Sequence, residues 1–124
     1  MSGHDLQPML NPGVYAFTVA PAGVSLAALD VVACIREREG LTVVAEESAL
    51  LRAGLPVMYR AAWITLSAAT ELQAVGLSAR FSKALADAGI SCNVFAGVHH
   101  DHLFVALEDA QRALAALHAL SESG

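Results

Sequence analysis

Charge is scarce in this sequence, and what there is leans acidic. Only 15% of the 124 residues are Asp, Glu, Lys or Arg, and the formal net charge is −5. The basic residues are scattered from Arg36 to Arg112 without a cluster. Neutralising phosphates takes a patch of positive charge, so nucleic acid is not an expected partner. Long uncharged apolar runs are also missing. A membrane-spanning helix takes about 18 or more such residues, and Asp30 and Arg36 interrupt the longest candidate. Met1-Ser2-Gly3-His4-Asp5 has neither the basic flank nor the apolar core of a secretory signal, so the cytoplasm is the expected location. There are two cysteines, Cys34 and Cys92, each in an apolar run, and they read as small buried hydrophobes in a reducing compartment. Catalytic signatures are missing too: no Gly-x-Ser-x-Gly elbow, no P-loop and no dinucleotide fingerprint. No catalysis of its own and no cofactor is the expectation.

Apolar residues, by contrast, are abundant. They make up 56% of the chain, with a mean hydropathy of +0.53. Such a chain buries nearly all of this surface or turns some of it toward a partner, which favours a homo-oligomer, most simply a dimer.

The pattern along the chain is α+β. Residues 1–12 are polar, with Pro8, Asn11 and Pro12, and read as a tail entering a turn. Val14 to Val19 reads as a strand. Ser25 is a helix cap; Leu26, Leu29, Val32, Ala33 and Arg36 follow helical spacing, with Gly40 as the stop. Leu41 to Ala45 is a short strand and Glu46 to Ala53 a short helix. The second stretch, Val57 to Ser67, is again a strand. A helix follows over Ser78 to Ala88, then strands over Ile90 to Ala96 and His102 to Leu107, joined as a hairpin. A last helix covers Asp109 to Leu120. The expected organisation is a tail over 1–12, a first half over 13–56 and a second domain over 57–124. The step from Val14 to Trp63 equals the step from Gly40 to Gly89, which suggests a duplicated unit, although strand-helix-strand is a common order.

The run Gly76-Leu77-Ser78-Ala79-Arg80-Phe81-Ser82-Lys83-Ala84-Leu85, followed by Ala88-Gly89-Ile90-Ser91, resembles the regulatory ACT domains of aspartate kinases. Glu39-Gly40-Leu41-Thr42-Val43-Val44, Trp63-Ile64-Thr65-Leu66 and His100-Asp101-His102-Leu103-Phe104-Val105 extend the likeness to short bacterial tandem-ACT proteins and to ACT-type arginine sensors. The resemblance implies two ferredoxin-like halves of βαββαβ type, with antiparallel sheets and helices on one face. It also implies an amino-acid-binding regulatory module. Ligand contacts then fall on the strand-to-helix loop from Thr70 to Ser78 and on the strand start from Ser91 to Asn93. The amide that aspartate kinases carry at the place of Ser91 stands here at Asn93.

The residues themselves support such chemistry. Gly76 allows close backbone approach, and a helix start attracts a carboxylate. Glu71 or Asp101 is available for the ligand's ammonium. The candidate ligand contacts are therefore Glu71, Val75, Gly76, Leu77, Ser78, Ser91, Asn93 and Asp101. Strand alternation puts Ile90, Cys92 and Val94 on one face and Ser91, Asn93 and Phe95 on the other. Trp63, Phe95 and Phe104 share a face that is expected to meet the other half or a second subunit. Two other readings stay open: an interaction module without ligand, or a metal-dependent enzyme using the cluster His99-His100-Asp101-His102.

Overall fold

The computed structural model describes residues 6–67 and 75–123. The element order is β1 (Pro8–Ala20), α1 (Leu26–Leu29), β2 (Ala33–Glu37), β3 (Gly40–Glu46), α2 (Glu47–Arg52), β4 (Tyr59–Leu66), α3 (Leu77–Asp87), β5 (Cys92–Ala96), β6 (Asp101–Ala106) and α4 (Ala110–Ser123). A 3-10 turn over Leu107–Asp109 leads into α4. The order βαββα thus occurs twice. The chain divides into two units, one of residues 13–61 and one of residues 1–12 with 62–124.

In the smaller unit the strand order is β2–β3–β1. Both pairings are antiparallel, with Ala16 opposite Ala45, Thr18 opposite Val43 and Cys34 opposite Val43. Ala16, Ala20, Val43 and Ala45 form a core with Leu29 of α1 and Leu50 of α2. Ser25 Oγ accepts from Ala28 N at 3.2 Å and starts α1. Asp30, in the left-handed region at φ 51°, ends it after one turn, its N–H on Ala27 O. The sequence pattern predicts a helix through Arg36; Ala33–Glu37 is instead strand. Past Asp30 the run Val31-Val32-Ala33-Cys34-Ile35 is β-branched and apolar, and hairpin pairing with β3 outweighs the helical spacing. Gly40 is therefore no helix stop. It closes a two-residue hairpin loop opposite Glu37, at φ +152°, and a Cβ there would lie 2.9 Å from Val19 Cγ1. Both facts confine that position to glycine.

In the larger unit the order is β1–β4–β6–β5, with β1 represented by Pro8–Pro12. These residues are strand, not the tail that Pro8, Asn11 and Pro12 suggest. Asn11 fixes them: its Nδ2 donates to Trp63 O at 3.2 Å and to Thr65 Oγ1 at 2.9 Å. Ala62, Ile64 and Leu66 of β4 and Leu103 and Val105 of β6 face Phe81 and Leu85 of α3 and Ala113 and Leu117 of α4. The helices cover this face. At the end of α3, Ile90 N donates to Leu85 O and Gly89 N to Ala86 O, a Schellman closure that turns the chain into β5. β5 and β6 form an antiparallel hairpin with Phe95 opposite His102.

The hairpin β5–β6 is the counterpart of β2–β3. The strand after Gly89 thus corresponds to β2, not to the strand at Gly40, and the equal steps from Val14 and Gly40 do not mark the repeat.

The cysteines differ from each other. Cys34 is exposed, against expectation, because β2 is a strand whose outer residues have no cover. Cys92 packs against the larger unit's core, and burial pushes its thiol up to about 11. Near pH 8 only about a thousandth of such a thiol is thiolate, the reactive form. With an aromatic disulfide reagent, one thiol per native chain is expected to react fast, and a Cys34→Ser variant to lose that phase. Two fast thiols would contradict this placement.

Candidate ligand site

Two strand-to-helix loops hold equivalent places in the two βαββα units. In the larger unit, Glu71 lies outside the described residues. Val75 is 98% exposed. Gly76 caps α3 at φ +92°, with no atom within 4 Å of a Cβ there. Leu77 packs against the core and Ser78 is exposed in the first turn. Ser91 and Asn93 are exposed at the start of β5, and Asn93 Nδ2 donates to Phe104 O at 3.5 Å. Helix α3 separates these two groups. Its 11 residues span about 16 Å at the usual helical rise, with Gly76 before the first and Ser91 beyond the last. One copy of the unit does not bring Gly76 and Ser91 together. Asp101 opens β6 opposite Ala96, at the hairpin end of the sheet.

The smaller unit carries a cavity at its own loop. Ala20, Pro21, Ala22, Gly23, Val24 and Leu26 line one side, and Arg36, Glu37, Gly40 and Leu41 the other, around about 400 Å³. Val24 N donates to Pro21 O at 3.3 Å and closes the loop turn. Thr42 Oγ1 donates to Glu37 Oε1 and orients that carboxylate. Arg36 is the one cation of the lining and Glu37 the one anion. A guanidinium fork suits a ligand's carboxylate. Reading Arg36 as helical hid this site. The signal in the sequence was Pro21-Ala22-Gly23 directly after a strand.

The uncovered face of the larger unit is aromatic. Phe104 is fully buried, stacked with Trp63 at 6.2 Å and edge-on to Phe95 at 5.6 Å. Trp63 and Phe95 are half-buried. Along β5–β6, rings of His99 and His100 lie 6.4 Å apart and those of His100 and His102 6.5 Å. Among the described residues no three His, Cys, Asp or Glu side chains converge as metal ligands. No helix among them is long and apolar enough to cross a membrane.

An antiparallel α+β unit occurring twice, with helices packed on the sheet, is the arrangement of an ACT-type fold. Two ACT-domain family models match the sequence, over residues 4–62 and 59–119. The chain belongs to the ACT-domain family, as two such domains in tandem. It is 44% identical, with a TM-score of 0.84, to VC0802 of Vibrio cholerae, a protein of unknown function described as a possible transport protein; the alignment covers 94% of this chain and 96% of that one. Atu0741 of Agrobacterium tumefaciens matches at 18% identity and a TM-score of 0.76, over 92% and 87% of the two chains. The ligand-free regulatory subunit of aspartate kinase from Thermus thermophilus has the same fold at 12% identity and a TM-score of 0.64, over 91% and 95%. No curated protein matches the sequence.

Proposed function

We propose that this chain is a cytoplasmic regulatory module that binds an amino acid in the cavity between Pro21–Val24 and Arg36–Leu41 and catalyses nothing itself. The observation that carries the reading is a cavity at the strand-to-helix loop with Arg36 as the one cation in its lining. A volume near 400 Å³ lies in the range of about 300–1,000 Å³ usual for small-molecule pockets. The second loop, with Glu71 and Val75–Ser78, and Asp101 at its hairpin end, is the corresponding site of the other domain. Ser91 and Asn93 reach that site only from a neighbouring copy, which fits a homodimer. The face of Trp63 and Phe95, packed over Phe104, is the contact surface in this assembly.

Thermal unfolding with each common amino acid at millimolar concentration tests the proposal. A ligand at a hundred times its Kd stabilises by about 2.7 kcal/mol, which raises Tm by several degrees in a chain of this size. At least one amino acid is expected to do so. A panel without any shift would contradict the reading.

A further inference from the structure

His102 stands on the aromatic face and takes no part in the cavity. Trp63 Nε1 donates to His102 Nδ1 at 3.1 Å. An indole N–H only donates, so Nδ1 carries the lone pair and the neutral ring holds its proton on Nε2. Thr65 Oγ1 lies 3.3 Å from the same Nδ1 and accepts from Asn11 Nδ2 on its other side. A hydroxyl has two acceptor lone pairs and a rotatable proton, so Thr65 has room for one more donor.

We infer that His102 is a proton-operated latch for Trp63. Neutral, it holds the indole on the sheet face; protonated at Nδ1, it donates to Thr65 Oγ1 and lets the indole go. One proton moves from solvent to Nδ1, and only hydrogen bonds change. Protonation sets two donors, the indole N–H and the new Nδ1–H, at a distance where neither has an acceptor in the other. The imidazole is on β6, whose backbone is paired with β5. Gly97 of the turn lies beside it: a Cβ there would come 3.4 Å from His102 Nε2. The indole, half-buried at the surface of the face, is the group released.

The neighbours of His102 are few. Among the described residues, Trp63 and Thr65 of β4 reach its Nδ1, Asn11 of β1 reaches Thr65, and Phe95 of β5 stands opposite; none of these titrates in this range. The titratable groups are His100 and Asp101. Burial holds His102 below its ordinary 6.5, the His100 charge adds to this, and Asp101 opposes it. With the folded value depressed, the latch stays closed to lower pH than a free imidazole would allow and opens as pH falls through the folded value.

The chain has one tryptophan, so its emission reads the latch directly. Between about pH 7.5 and about 5, the emission maximum is expected to shift to the red in a one-proton step with its midpoint below 6.5, at constant far-UV circular dichroism. His102→Gln keeps an acceptor and does not titrate, so its emission is expected to stay flat. Thr65→Val removes the acceptor of the new proton, and its midpoint is expected to move lower. A flat wild-type emission, a step that survives His102→Gln, or a step that coincides with loss of secondary structure would overturn the latch. Should the variants fail to fold, ¹⁵N NMR of the wild-type imidazole decides: a neutral ring protonated on Nε2 supports the latch, and one protonated on Nδ1 overturns it. Acid is also expected to weaken self-association, a consequence that rests on the proposed contact surface. Sedimentation of the same samples separates the two, since an emission step with unchanged association supports the latch and removes only that surface.

Discussion

Phe81→Ala is expected to cost about 3–5 kcal/mol of stability, the usual range for deleting a buried aromatic ring. Phe81 has no solvent exposure and sits on α3 among Ile64, Leu66, Leu103 and Leu117. Both helices and both central strands of the larger unit meet there, so no single element can shift to fill the hole. A domain of this size is stable by only about 5–15 kcal/mol, which makes the loss a large share of the total. Urea unfolding checks it: the midpoint is expected to fall steeply with little change in slope. Leu51→Ala is the control. Leu51 is 60% exposed on α2, and its removal is expected to change stability by less than about 0.5 kcal/mol.

Arg36→Ala is expected to weaken amino-acid binding by about tenfold or more, the scale of a net charge-assisted hydrogen bond. The guanidinium is exposed on β2, so unfolding without ligand is expected to stay near the wild-type midpoint. Arg36→Lys keeps the charge but loses the two-pronged fork, and is expected to fall between the two. Calorimetric titration with the amino acid that gives the largest thermal shift measures all three. Equal affinities for wild type and Arg36→Ala would remove Arg36 from the site.

The larger unit was largely legible because its pattern is strong. Ile64 and Leu66 alternate with Trp63 and Thr65, and Phe81 and Leu85 share a helix stripe, so period and burial agree. The smaller unit was less legible. Its first helix is a single turn stopped by Asp30, and no local pattern distinguishes Val32, Ala33 and Arg36 on a helix from the same residues on a strand. Only pairing with β3 decides it. That error carried the candidate site with it, since Arg36 faces the cavity only when β2 is a strand. Pro8–Pro12 failed for a related reason: prolines read as a turn, while the backbone there is held by Asn11 and a partner strand 52 to 54 residues away. The aromatic face followed from alternation alone. The bond between Trp63 and His102 did not, because it joins strands 39 residues apart.

The most direct test is a ¹⁵N–¹H NMR titration of the chain with the stabilising amino acid. Saturating shifts are expected at Gly23, Val24, Arg36, Glu37 and Gly40, the residues around the cavity. Shifts confined to Gly76–Ser78 and the hairpin at Asp101 would move the site to the other domain. No saturable shift with any amino acid would contradict the account.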